Sequence, residues 1–221
     1  MTTSPTPDAH SPVAQPAPSP HHVSPAPRRT VPQRLYIEAP TYYRPQHSDP
    51  PCVFLAGGIT GVAEQWHRRA IEALNACTDP VVIINPNRAA FPIHDPKAAW
   101  EQVSWEQHHL HLPALTTLFW FAAAEDSRPQ PIAMFELGQA LGENRKIVVG
   151  AHPRYPREAD VHMLCQLARP GMPVYSDLED TVHAAYQAAT ALSTECRREH
   201  RPTVGRPDAE PAGHSRNSRR R

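Results

Sequence analysis

The 221 residues carry 22 basic and 22 acidic side chains, so net charge does not mark the whole chain as a nucleic-acid or anionic-surface binder. No apolar run approaches the roughly 18 residues of a membrane span, and the N-terminus lacks the apolar stretch of a secretory signal. Cys52, Cys77, Cys165 and Cys196 lie far apart in sequence with no paired metal or redox spacing, so a cytoplasmic, reducing location is expected.

Prolines crowd residues 1–50, in runs such as Ser4-Pro5-Thr6-Pro7 and Pro16-Ala17-Pro18-Ser19-Pro20, with no glycine and little apolar periodicity. Such a stretch buries too little apolar surface to offset its ordering entropy, and it reads as a mostly disordered segment with polyproline II character. From 197 to 221, eight arginines stand against three acids, a disordered basic tail. Its arginines could touch phosphates of nucleic acid or lipid, although a solvated tail is the simpler reading.

Between these tails, residues 51–196 alternate regularly. Val53-Phe54-Leu55-Ala56 is a strand that runs into Gly57-Gly58-Ile59-Thr60-Gly61. Trp66, Ala70, Ile71, Leu74 and Cys77 then recur at helical steps. Val81-Val82-Ile83-Ile84 reads as a strand buried on both faces, followed by the polar loop Asn85-Pro86-Asn87-Arg88. Asp95-Pro96 supplies a helix cap and a first-turn proline, and Trp100, Val103, Gln107 and Leu110 follow at helical spacing, as the expected stripe, until Pro113. Leu118 to Phe121 is a third strand, Pro131 to Gly142 a helix, and Lys146 to Val149 a fourth strand. A helix near 159–168, a short strand at Pro173-Val174-Tyr175 and a last helix capped by Asp177 complete the pattern.

Strands that alternate with helices predict an α/β fold: a flavodoxin-like five-stranded parallel sheet in the order 2-1-3-4-5, with helices on both faces. Ligands of such sheets bind outside the carboxyl ends of the strands, where the strand order reverses. That rule gathers Gly57 to Gly61, Asn85 to Arg88 and Phe121 to Glu136 around one crevice.

Within the crevice, Gly57-Gly58 allows close backbone approach to a ligand, although a tight structural turn explains it as well. Glu136 lies in the second turn of a mostly apolar helix at the functional edge of the sheet. On spacing alone, a surface glutamate or a helix-dipole partner is the simpler account. Glu101 and Glu106 lie on the preceding helix, and either could oppose Glu136; two carboxylates of separated acidity are what cleavage of a glycosidic bond requires. His108 and His111 could share a helical face, but no further ligand spacing supports a metal, and solvent-facing histidines are expected. Trp105, Trp120 and Phe121 could stack on a base; core packing is the simpler reading for the last two.

Phe54-Leu55-Ala56-Gly57-Gly58-Ile59, Asn85-Pro86-Asn87-Arg88, Trp105-Glu106, Phe119-Trp120-Phe121 and Phe135-Glu136-Leu137-Gly138-Gln139-Ala140 together resemble the nucleoside 2-deoxyribosyltransferase-like family, over about residues 40 to 175. The resemblance implies that Glu136 attacks C1′ of a deoxyribonucleoside to give a covalent glycosyl-enzyme, with no metal or organic cofactor. It also implies that Glu106 protonates the departing base and that Gly57, Gly58, Asn87 and Arg88 line the base or sugar pocket. Where such enzymes place a base-contacting aspartate, about six residues before the nucleophile, this chain has Gln130, with Glu125 and Asp126 nearby but offset. Sites in the family are completed by a neighbouring subunit, so a homo-oligomer is expected. The alternatives are an N-glycoside hydrolase of nucleosides or deoxynucleoside 5′-monophosphates, for which Arg88 would suit the phosphate, and a nucleotide-sensing module without turnover.

Overall fold

The computed structural model describes residues 36–46, 48–62, 65–92, 94–124 and 129–199. The expectations for residues 1–35 and 200–221, and for Glu125 and Asp126, lie outside the described residues. Among the described residues, six strands form one open sheet in which every pairing is parallel: β1 (Tyr36–Glu38), β2 (Cys52–Gly57), β3 (Val82–Asn85), β4 (Leu115–Phe121), β5 (Ile147–Ala151) and β6 (Val174–Tyr175), in the order β1-β3-β2-β4-β5-β6. Without the first strand this is the expected 2-1-3-4-5 order. β1, inside residues 1–50, is a strand beyond the expected five. It adds an edge strand beside β3, and Ala39 and Tyr43 just after it are buried in the core.

Among the described residues, five helices cover the sheet: α1 (Trp66–Ala76), α2 (Pro96–Leu110), α3 (Pro131–Gly142), α4 (Glu158–Ala168) and α5 (Leu178–Glu199). The period-2 alternation of side chains along each strand sorts them into two cores. Phe54, Phe119 and Phe121 face Trp105 of α2, Leu137 of α3 and Cys165 of α4. Val53, Leu55, Leu118 and Trp120 face Trp66 and Leu74 of α1 and Val182 and Ala189 of α5. Burial on both faces explains why the strands read as continuous apolar runs. The expected caps are present: the Asp95 side chain accepts from the Lys97 amide at 2.9 Å, with Pro96 in the first turn, and Asp177 accepts from the Asp180 amide at 3.1 Å.

The inward face of α2 differs from the expected stripe. Trp100 is 78% exposed and Val103 is also exposed, whereas Ala98, Trp105 and His109 are buried with Leu110. Both sets fit a helical period. The second is selected because Trp105 can bury its ring against Phe54 while its indole N–H donates to the Thr41 carbonyl at 2.7 Å, which satisfies the one polar atom the ring carries. Among the described residues, no helix is long and apolar enough to cross a membrane.

Candidate active site

A pocket of about 360 Å³ opens at the carboxyl edge of the sheet, within the range of small-molecule sites. It is bounded by the end of β2 and the turn after it, by Pro86 beyond β3, by Val103 and Glu106 of α2, and by the 129–136 segment that starts α3. This is the position where the chain, having placed β3 on one side of β2, crosses to place β4 on the other, as the crevice rule requires.

Glu136 and Glu106 both line this pocket. Glu136 is 7% exposed, and its pKa is raised to about 8, first by burial and then by the charge of Glu106, with Arg145 opposing. The pKa of Glu106 is raised by burial, against a hydrogen bond from Gln102 and the charge of Arg88, both of which favour its ionised form. Two carboxyls in one partly desolvated space titrate as a coupled pair. The second carboxylate of α2, Glu101, is half exposed and pairs with Arg88 at 2.8 Å; the pocket receives Glu106 instead.

The other expected site residues divide. Gly57 and Gly58 line the pocket, and both also serve packing. A Cβ on Gly57 would stand 2.3 Å from the Trp120 carbonyl oxygen, and one on Gly58 would stand 2.5 Å from Gln130 Cδ. Gln130 lines the pocket too, but both ends of its amide are occupied. Its oxygen accepts from the Gly58 amide at 2.8 Å, and its nitrogen donates to the Ala122 carbonyl at 2.9 Å. The geometry therefore makes it a clamp between two backbone segments at the pocket wall.

Asn87 and Arg88 are outside the pocket lining. Asn87 is held in a turn by Asn85, whose side-chain oxygen accepts from the Asn87 amide at 3.1 Å. The Arg88 side chain is only 6% exposed, paired with Glu101 and lying over the Phe91 ring. Its charge acts on the site by holding Glu106 toward the ionised form.

His108 and His111 are exposed, as expected, whereas the His109 between them is not. His109 is fully buried. Its Nδ1 lies 2.7 Å from the Trp105 carbonyl and its Nε2 accepts from the Tyr43 amide at 3.0 Å. Because a carbonyl can only accept, the neutral tautomer with hydrogen on Nδ1 is the one that satisfies both. Among the described residues, no group of three or more His, Cys, Asp or Glu side chains could hold a metal ion. Trp105, Trp120 and Phe121 are core residues and present no ring to the pocket.

Two glutamines take roles that sequence reasoning does not assign them. Gln130 braces two backbone segments, as above. Gln102 falls outside every motif in the sequence, yet its Nε2 donates to Glu106 Oε1 at 2.7 Å and to the Pro86 carbonyl at 2.8 Å. The available signal is spacing, since residues four apart on a helix are neighbours and a glutamine there can bond a carboxylate.

The model of the family described as nucleoside 2-deoxyribosyltransferase like matches residues 50–155, a span that contains every residue lining the pocket. No curated protein matches the chain.

Proposed function

We propose, from the match of residues 50–155 to the nucleoside 2-deoxyribosyltransferase-like family, that the protein cleaves the N-glycosidic bond of (deoxy)nucleosides through a covalent sugar ester on Glu136. The observation that carries this reading is the convergence of Glu136 and Glu106 on one pocket from two helices, with acidities coupled to each other. A retaining displacement needs one carboxylate as nucleophile and one carboxylic acid at the leaving group.

With Glu136 raised to about 8, the pair holds one proton near neutral pH. In the productive arrangement that proton is on Glu106 and Glu136 is anionic. The C1′–N bond breaks with its electron pair going to the base nitrogen, Glu106 gives that nitrogen the proton, and an oxygen of Glu136 bonds to C1′. Glu106, now ionised, takes a proton from the incoming nucleophile while the ester is displaced. If the nucleophile is a second base, the enzyme transfers; if it is water, the enzyme hydrolyses.

Nucleosides suit the pocket better than 5′-monophosphates. Among the described residues that line it there is no lysine or arginine, and Arg88, outside the lining, pairs through one nitrogen with Glu101 while its buried Nε has no hydrogen-bond partner among the described residues. Two carboxylates in the wall, with no cation in the lining itself, disfavour a phosphate dianion.

The test is incubation of the full chain with a panel of deoxynucleosides and their 5′-monophosphates, with and without a second base, following free base and exchanged nucleoside by chromatography. Exchange that disappears in Glu136→Ala supports transfer, and base release alone supports hydrolysis. Nucleotide binding that persists in Glu136→Ala, with no product from any substrate, would replace both with the sensing module.

A further inference from the structure

On the reading of Glu106 as the acid, we propose that Gln102 is a positioning residue that fixes which oxygen of Glu106 carries the catalytic proton. The orientation of the Gln102 amide follows from its contacts. Pro86 offers only a carbonyl, which can accept but not donate, so the amide nitrogen and not the amide oxygen faces it, at 2.8 Å. The same nitrogen lies 2.7 Å from Glu106 Oε1. Both hydrogens of the amide group are therefore spent, one on each acceptor.

Glu106 Oε1 is then favoured as the bare acceptor, because the carbonyl oxygen of a carboxylic acid accepts a hydrogen bond better than its hydroxyl oxygen. The proton of Glu106, when there is one, belongs on Oε2. Gln102 thereby turns a symmetric carboxyl into a directional one, with one oxygen anchored and the other free to exchange a proton with the substrate. The anchor is firm: Pro86 follows directly on β3, and the preceding Asn85 is tied to the Tyr36 hydroxyl at 2.8 Å. Gln102 Oε1 is buried without a protein partner among the described residues, so the amide is arranged for its donor end.

The charged groups around Glu106 are accounted for. Arg88, from the loop after β3, favours its ionised form, as does the Gln102 bond, and Arg88 is itself held by Glu101 of α2. Glu136 of α3 is coupled to Glu106, and Arg145, beyond the end of α3, acts on Glu136. Of these neighbours, Gln102 is the one that holds Glu106 by a hydrogen bond. It therefore sets geometry, where the rest set potential.

The test is carboxyl carbon NMR of the full chain labelled at glutamate Cδ, with the Glu106 signal assigned by its loss in Glu106→Gln, alongside pH profiles of base release. In Gln102→Leu, Glu106 should titrate at higher pH than in the wild type, because a hydrogen bond that favours its ionised form is gone. kcat should fall about tenfold or more with KM within about threefold, and the profile should shift along the pH axis. Gln102→Glu, which can donate one hydrogen bond only when protonated, should recover activity at acidic pH and lose it steeply as pH rises. An unmoved Glu106 titration in both variants would overturn the proposal, as would a profile merely scaled down without displacement. If Gln102→Leu does not fold, Gln102→Glu decides by the same readouts. If no substrate is turned over, the catalytic reading falls by itself, while the titration still decides whether Gln102 governs Glu106.

Discussion

Glu106 and Glu136 stand on different helices, and the charge of the first raises the proton affinity of the second. Replacing Glu106 should therefore do two separable things. In Glu106→Gln, kcat should fall by about 10²–10⁴ through loss of the general acid. The ionisation of Glu136 should also move to lower pH, because the like charge is gone. Rate profiles between about pH 5 and 9 check both; a loss of rate with no displacement would leave Glu106 without electrical contact to Glu136.

Burial of Glu136 should be legible in stability. The unfolded chain releases this proton near the usual 4.5, whereas the folded protein keeps it to about 8. Across that window the folded state binds more protons, so stability is greatest at the acidic end and falls as pH rises. Glu136→Gln, neutral throughout, should remove that decline. Its size is a few kcal/mol, since each pH unit between the two values is worth on the order of 1.4 kcal/mol. Urea midpoints of both proteins across the window measure it, and parallel curves would contradict the buried acid.

Two histidines should act in the opposite direction. Burial lowers His67 to about 3 and also lowers His109. Below the ordinary histidine value near 6.5, the unfolded chain gains protons that the fold excludes, so stability falls as pH falls. His67→Leu should flatten this acid limb with little cost at pH 7. His109→Leu should flatten it less and cost about 1–3 kcal/mol at pH 7, because the Tyr43 amide loses its acceptor. Denaturation midpoints from about pH 7 to 4 separate the two.

Gly58 and Gln130 should behave as one unit. Gly58→Ala places a Cβ against the Gln130 side chain and should cost about 1–3 kcal/mol. In a Gln130→Ala background the same change should cost much less. A double-mutant cycle in urea measures the difference, and strict additivity would mean the two do not press on each other.

Much of the architecture is readable from the chain because the inner strands β2 to β5 are buried on both faces, so strand runs such as Val82-Ile83-Ile84 and the apolar helix from Pro131 to Gly142 announce themselves. β1 does not, since three residues after a proline-rich stretch carry no periodicity and are stabilised by pairing with the distant β3. The face of α2 is ambiguous because two stripes fit one period, and only the partner of the Trp105 indole decides between them. At the site, Glu136 and Glu106 are recoverable through a family resemblance. Asn87 and Arg88 are close to the crevice in sequence, but Asn85 and Glu101 draw them away from its wall. Gln102 and Gln130 act by hydrogen bonds to backbone carbonyls and amides remote in sequence, a relationship that composition and spacing do not record.

The strand and loop ahead of residue 50 bear on how the protein should be produced. The family match begins at 50, and an expression boundary drawn there would remove the Thr41 carbonyl that receives the Trp105 indole, the Tyr43 amide that engages His109, and the Tyr36 hydroxyl that steadies Asn85. Trp105 and His109 lie on the helix that carries Glu106. A trimmed protein that retained every pocket-lining residue would thus lose the outer brace of its acid-bearing helix, and inactivity in it would report on the cut rather than on the chemistry.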